Sequence, residues 1–205
     1  MYRKYGKRFL DILLSGCAIV FLSPLYLLLA IAIKIDDPGP VFFRQKRVGI
    51  HKTHFQILKF RTMKMETPRD TPTHQLDNPD QYLTRVGRLM RKYSLDEFPQ
   101  FFQTFTGKMS IIGPRPALWN QFDLIEERDK YGANDVRPGV TGWAQINGRD
   151  ELPIHVKAWF DGEYVRKMSF WFDCKCFLGT ILSVIKSDGV VEGGTGRLEK
   201  EKKEE

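Results

Sequence analysis

Cysteine is scarce, with three in 205 residues. Cys17 lies in an apolar stretch, and Cys174 and Cys176 are too near each other to close a sizeable loop. A disulfide scaffold is therefore excluded, and a reducing compartment is the simplest setting. Familiar ligand signatures are missing too. There is no Gly-x-Gly-x-x-Gly to support a dinucleotide fold. Gly107-Lys108 comes nearest to a phosphate loop, but Phe102 stands where that motif needs Gly, and Met109 where it needs Ser or Thr. The absence of Asp-x-Asp weighs against a conventional nucleotide-sugar glycosyltransferase. The four His residues (51, 54, 74 and 155) and the Cys174-x-Cys176 pair fit no zinc spacing. No internal repeat is present.

Acidic residues are sparse at the amino-terminal end. Residues 1–66 hold 12 Lys/Arg against 4 Asp/Glu, a net +8, whereas residues 67–205 are nearly balanced at −1. The basic excess surrounds the most apolar stretch, which is the layout of a chain lying against an anionic membrane face. A nucleic-acid binder does not need its basic residues around twenty apolar ones. Runs such as Lys59-Phe60-Arg61-Thr62-Met63 lack an aromatic platform for RNA, so nucleic acid is not expected as a partner. The length suits one compact domain with an appendage.

Ile12 to Ile33 is 22 residues without a charge, enough to cross a hydrocarbon core of ~30 Å. Two features disturb a simple span. Ser23-Pro24 sits near its middle, where proline removes a helical hydrogen bond. Basic residues also flank both ends (Arg3, Lys4, Lys7 and Arg8 before; Lys34, Arg44, Lys46 and Arg47 after), so both ends carry the cytoplasmic signal. A helix broken at Ser23-Pro24 that turns back within one leaflet accommodates both facts, with the Ser23 hydroxyl serving the freed backbone groups. A straight span with a mild kink stays open on physical grounds. A cleaved signal peptide is discounted, since the apolar run exceeds the usual 7–15 residues and Lys34 follows at once.

Beyond the Asp36-Asp37-Pro38-Gly39-Pro40 breaker, Val41–Val48 and His54–Phe60 read as a β-hairpin. Residues 66–80 read as a surface loop. Leu83, Val86, Leu89 and Met90 recur at helical spacing, and a second helix is expected from Asp96 to Phe105. Gly107–Gly148 reads as loop-dominated with one helical stretch around Gln121–Lys130. Pro153–Lys167 and Phe170–Lys186 carry aromatics among charges, as interfacial amphipathic helices do, although soluble core helices share the pattern. The charged tail Arg197–Glu205 reads as disordered. The expected class is α+β, mostly helical. It divides into a membrane helix over 1–36, a cytoplasmic catalytic domain over 37–190 and a disordered tail over 191–205.

Ser94-Leu95-Asp96-Glu97-Phe98-Pro99 is the most informative short run. Its ordinary role is a capping box at a helix start. The same position favours ionised carboxylates, through a dipole worth ~0.3–1 kcal/mol, and an ionised Asp can act as a nucleophile or a Mg²⁺ ligand. Adjacent helical residues diverge by about 100°, which predicts that Asp96 and Glu97 divide the labour instead of meeting at one atom. Arg91, Arg115, Arg137 and Arg149 stand in or beside stiff loops, where guanidinium forks suit bidentate phosphate recognition.

Lys59-Phe60-Arg61-Thr62-Met63, Ser94-Leu95-Asp96-Glu97, Gly113-Pro114-Arg115-Pro116 and the run from Arg137-Pro138-Gly139 to Asn147-Gly148-Arg149 occur in that order. In this the chain resembles the bacterial sugar transferases, the monotopic polyprenyl-phosphate phosphoglycosyl transferases, over about Lys7–Asp188, in their minimal catalytic form. The resemblance implies a re-entrant membrane helix bent at Ser23-Pro24, on the cytoplasmic face of a bacterial cell membrane among inner-leaflet lipids. It implies transfer of a sugar 1-phosphate from a UDP-sugar to a polyprenyl phosphate such as undecaprenyl phosphate. UMP would be released, Mg²⁺ required and surface polysaccharide, capsule or glycoconjugate synthesis served. Asp96 would be the nucleophile and a Mg²⁺ contact, and Glu97 the support of metal or of proton removal. Arg91, Arg115 and Arg149 would clamp phosphates, with Lys59 and Arg137 as weaker candidates. The alternative is a non-enzymatic membrane-bound scaffold module with a basic face. The identity of the sugar and the oligomeric state, a homodimer among the options, stay open.

Overall fold

The computed structural model describes residues 1–67, 79–148 and 152–186. Most of the 66–80 loop, Arg149 and the carboxy-terminal tail lie outside them.

After a short π-helical turn at Tyr2–Gly6, helix α1 runs over Lys7–Asp36. At ~1.5 Å per residue it reaches about 45 Å, and it is long and apolar enough to cross a membrane, with a mean hydropathy of 2.4 in its most apolar window. The expected break at Ser23-Pro24 does not interrupt the helix. Pro24 cannot donate to the Val20 carbonyl, and the Ser23 hydroxyl does so instead, at 2.8 Å, so the orphaned acceptor is served and helical backbone continues on both sides.

Helix α1 rests on the rest of the chain near both of its ends. Near its start, Arg8 donates to the carbonyls of Thr104 and Phe105 at 2.6 and 2.7 Å. Asp11 accepts from the Ser110 hydroxyl and the Ile111 amide. Towards its end, the Tyr26 hydroxyl donates to the Phe98 carbonyl, and Leu29 and Ile33 pack with Phe60 and Met90. Its outward face leaves Phe9, Leu13, Leu14, Val20, Phe21, Leu27, Leu28 and Ile31 exposed.

The expected hairpin forms from β1 (Phe42–Val48) and β2 (His54–Phe60), antiparallel, in a register that pairs Phe42 with Phe60 and Val48 with His54. Helix α2 (Arg85–Lys92) starts at Thr84, whose hydroxyl accepts from the Gly87 amide. Helix α3 covers only Gln100–Phe105; the preceding Leu95–Glu97 is a separate 3₁₀ turn. The region read as loops holds more order than expected. Strands β3 (Ser110–Ile112) and β4 (Gly139–Thr141) pair in parallel, with helix α4 (Phe122–Asp129) between them, and helix α5 (Trp143–Ile146) follows. Helices α6 (Ile154–Lys167) and α7 (Phe170–Lys186) match expectation. Trp159, Trp171, Phe177, Leu178 and Leu182 on them are exposed.

Among the described residues, small apolar clusters form the core: Leu29, Ile33, Phe60 and Met90; Val48, Ala117, Leu124 and Ala158; Ile112, Tyr164 and Cys176. Buried charge ties the elements around them. Arg128 on α4 grips Asp161 on α6 with two hydrogen bonds, at 2.8 and 2.6 Å. Asp173 on α7 gathers the Tyr2 hydroxyl, the Lys7 ammonium and the Tyr164 hydroxyl. The side chains of the Arg128–Asp161 pair are 4% and 1% exposed, so removing one partner strands a charge away from water. Arg128→Met should therefore cost about 3–5 kcal/mol in chemical unfolding, and Arg128→Met/Asp161→Leu should recover most of it.

Candidate active site

The Ser94-Leu95-Asp96-Glu97 run does not form the expected capping box. Ser94 sits in the left-handed region (φ 55°) and makes no side-chain cap, because the chain reverses there on leaving α2. Glu97 turns away from Ser94 towards two cations from distant elements. Lys59, at the end of β2, donates to Glu97 Oε1 at 2.8 Å. Arg115, on the loop after β3, forks onto both oxygens, Nη2 to Oε1 at 2.6 Å and Nη1 to Oε2 at 3.3 Å. Lys59 Nζ also lies 3.6 Å from Asp96 Oδ2. The two carboxylates thus meet at one ammonium, contrary to the divergence expected on an α-helix; they stand in a 3₁₀ turn, and the extra methylene of Glu97 reaches back. The contact is unequal: Glu97 is hydrogen-bonded, while Asp96 is held by charge at a longer range.

Arg91, on the last turn of α2, points its Nε at the Thr62 hydroxyl at 2.8 Å, and its charge reaches Asp96. Sequence reading missed Thr62 as a positioning partner, although it stands inside the Lys59–Met63 run. Helix α2 can approach Thr62 because residue 87 is glycine: a Cβ there would fall 2.0 Å from the Thr62 carbonyl oxygen. The Arg115 loop is fixed in the same way. A Cβ on Gly142 would fall 2.1 Å from the Gly113 carbonyl, and one on Gly139 2.2 Å from the Gly113 amide. The glycines of the two loop motifs are needed for this backbone crossing.

Lys59, Arg91, Asp96, Glu97 and Arg115 are therefore brought together. Arg137 is not part of this group, since its guanidinium donates to the Gly107 carbonyl at 2.9 Å. Arg149 lies outside the described residues. The Gly107-Lys108-Met109-Ser110 run is no phosphate loop: Met109 and Ser110 are fully buried, with Ser110 bonded to Asp11.

The electrostatics separate the acidic pair. Burial pushes the Asp96 carboxyl up and Glu97 adds to this, against the pull of Lys59. Burial would raise Glu97 as well, but Arg115 and Lys59 outweigh it and hold that carboxyl well below the usual carboxylate range. The result is one firmly ionised anchor and one more basic carboxylate with few restraints, the better nucleophile of the two. No group of three or more His, Cys, Asp or Glu suited to a metal occurs among the described residues. Mg²⁺ commonly binds through one or two carboxylates plus substrate phosphates and water, and Asp96 fits that sparse pattern.

The structure thus sets a cation-braced acidic pair beside an amino-terminal helix long and apolar enough to cross a membrane. The family described as bacterial sugar transferase matches residues 2–187, and the chain belongs to that family. It is 37% identical over 191 residues to the UDP-glucose:undecaprenyl-phosphate glucose-1-phosphate transferase of Xanthomonas campestris pv. campestris, covering 90% of this chain and 40% of the relative. It is 39% identical to the UDP-N-acetylgalactosamine-undecaprenyl-phosphate N-acetylgalactosaminephosphotransferase of Aeromonas hydrophila, covering 89% of this chain and 44% of that protein. Exopolysaccharide production protein ExoY of Rhizobium meliloti is 34% identical, with 90% and 87% covered. The chain thus spans about two fifths of the length of the first two relatives.

The raised Asp96 carboxyl has a consequence for stability. The folded state binds that proton more tightly than the unfolded chain, so stability is full below the ordinary carboxylate pKa, falls as pH rises from there through the raised pKa of folded Asp96, and stays lower above it. Asp96→Asn, which mimics the protonated form, should melt above the unsubstituted protein at neutral pH. The gap should close below about pH 4, and thermal unfolding across a pH series reads both limbs.

Proposed function

We propose that this protein moves a sugar 1-phosphate from a UDP-sugar to a polyprenyl phosphate such as undecaprenyl phosphate, releasing UMP, as the first membrane step of surface polysaccharide or glycoconjugate synthesis. The observation that carries this reading is the shared anchoring of Lys59 and Arg115 on Glu97, next to the more basic Asp96. The printed activities of the Xanthomonas and Aeromonas relatives supply the substrate class.

An Asp96 oxygen attacks the β-phosphorus of the donor, the bond from that phosphorus to the oxygen bridging to the α-phosphate breaks, and UMP departs with the electron pair. An oxygen of polyprenyl phosphate then attacks the same phosphorus and displaces Asp96, which returns as a carboxylate. Lys59 and Arg115 are released from Glu97 to the phosphate oxygens, where they neutralise charge on the bridging and leaving atoms. Glu97, relieved of both cations, supports the metal or takes up a proton. Arg91 contributes a further positive charge beside Asp96. Mg²⁺ would be held by Asp96 with the donor diphosphate and would add Lewis-acid neutralisation of the leaving phosphate.

The same reading assigns residues 1–36 to a re-entrant membrane helix in the cytoplasmic leaflet, its turn-back carried as a proline kink at Ser23-Pro24 within continuous helical backbone, with the catalytic domain over 37–190 on the cytoplasmic side. Support comes from attachment of both ends of α1 to one body, through Arg8 and Asp11 at one end and Asp36 and Asp37 at the other. A straight crossing would carry those attachments to opposite sides of the bilayer. The exposed aromatic and aliphatic side chains of α6 and α7 suit interfacial helices. Asp96 then stands where a lipid-borne phosphate and a soluble nucleotide can both arrive.

Incubation with a UDP-sugar labelled at the β-phosphate, without acceptor, should leave label on the protein, and undecaprenyl phosphate should chase it off. Asp96→Asn should hold no label and lower UMP release by about three orders of magnitude. Normal UMP release by Asp96→Asn would refute the nucleophile; turnover with no trapped label would favour direct attack by the acceptor.

A further inference from the structure

The turn after α1 carries two adjacent carboxylates that the transfer chemistry leaves without a task. Asp36 Oδ2 accepts from the backbone amide of Val86 at 2.8 Å. Val86 is in the first turn of α2, where that amide has no intrahelical partner, so α2 is capped both by Thr84 and from the end of the membrane helix. Asp37 Oδ2 takes Arg61 Nη1 at 2.6 Å, and the Asp37 carbonyl takes Nη2 of the same guanidinium. Arg61 is 6% exposed. Its amide donates to the Val41 carbonyl at 2.9 Å, and Gly39 lies over it so closely that a Cβ would stand 2.9 Å from Nη1.

These two attachments reach two of the three elements that supply cations to the site, the exit of β2 and helix α2. Arg61 is two residues past Lys59 and next to Thr62, the partner of Arg91. Arg91 is on α2, and the Asp96-Glu97 turn follows from it. In four residues the exit of β2 therefore sends Lys59 to Glu97, Arg61 to Asp37 and Thr62 to Arg91. The Thr62 carbonyl also accepts from the Thr84 amide at 3.1 Å. With glycine at 87, strand exit and helix start behave as one block.

We propose that Asp36 and Asp37 are positioning residues for the transfer: together they form a two-carboxylate joint that registers the end of the membrane helix against both the strand carrying Lys59 and the helix carrying Arg91. The joint sets how far the bilayer-seated helix holds the reacting carboxylate from the lipid phosphate. A displacement of about 1 Å at such a distance can cost up to 10²-fold in rate. This inference rests on the transferase reading for its kinetic part and on packing alone for its structural part.

Asp37→Asn alone strands the Arg61 guanidinium and lowers stability, so the decisive variant is Asp37→Asn/Arg61→Gln in full-length protein in nanodiscs containing phosphatidylglycerol. The joint predicts that this pair recovers most of the melting temperature lost by Asp37→Asn. Its kcat should stay at least about tenfold below that of the unsubstituted protein, with KM for the UDP-sugar changed less than about twofold. Asp37→Glu should restore rate in part. Recovery of kcat together with melting temperature would reduce the joint to a structural contact and overturn the proposal. Hydrogen exchange supplies a readout free of substrate: amides 59–62 and 86–91 should exchange faster in Asp36→Asn and in Asp37→Asn/Arg61→Gln, and unchanged exchange there would also overturn it. Failure of the unsubstituted protein to release UMP would instead sink the transferase reading, with the exchange result still deciding the joint.

Discussion

The site depends on one electrostatic arrangement, an ionised Glu97 that two cations from separate elements share. Lys59 arrives from the hairpin and Arg115 from the loop beyond β3. Neither is near Glu97 in the chain, so the contact closes the fold around the acidic turn as well as charging it. With its cations committed to Glu97, the site leaves Asp96 buried and comparatively basic, so the two carboxylates are electrostatically unlike. Two equivalent carboxylates at the same place would repel each other and compete for the same ammonium.

The amino-terminal helix reconciles two demands that pull in opposite directions. Lipid favours a smooth apolar cylinder, whereas docking on a polar domain needs hydrogen-bonding groups. Helix α1 meets both by dividing its faces: Arg8, Asp11 and Tyr26 address the domain, while Phe9, Leu13, Leu14, Val20 and Phe21 face outwards. The Ser23 hydroxyl serves the same end within the helix, covering a carbonyl that proline would leave without a donor.

Much of the architecture was legible in the sequence because it is written in local periodicity. The hairpin, α2, α4, α6 and α7 each carry enough alternation or helical spacing to be located within a few residues. The parallel pair β3–β4 was not legible, since strands of three residues are too short to carry a period. The acidic pair was found, but its geometry was misjudged. Ser-x-x-Glu is a local signal, while the partners of Glu97 lie 38 and 18 residues away. Arg137 shows the reverse case, an arginine before a proline that looks fit for phosphate yet braces the Gly107 carbonyl. Thr62 was passed over because a buried hydroxyl orienting a guanidinium leaves no mark in composition.

The bare crossing at Gly113, Gly139 and Gly142 bears on the stiffness of the loop that carries Arg115. Where main chains touch with no side chain between them, a loop has no slack with which to follow its guest. The backbone that carries Arg115 is therefore ordered when the chain folds, and only the guanidinium arm keeps freedom to exchange one anionic partner for another.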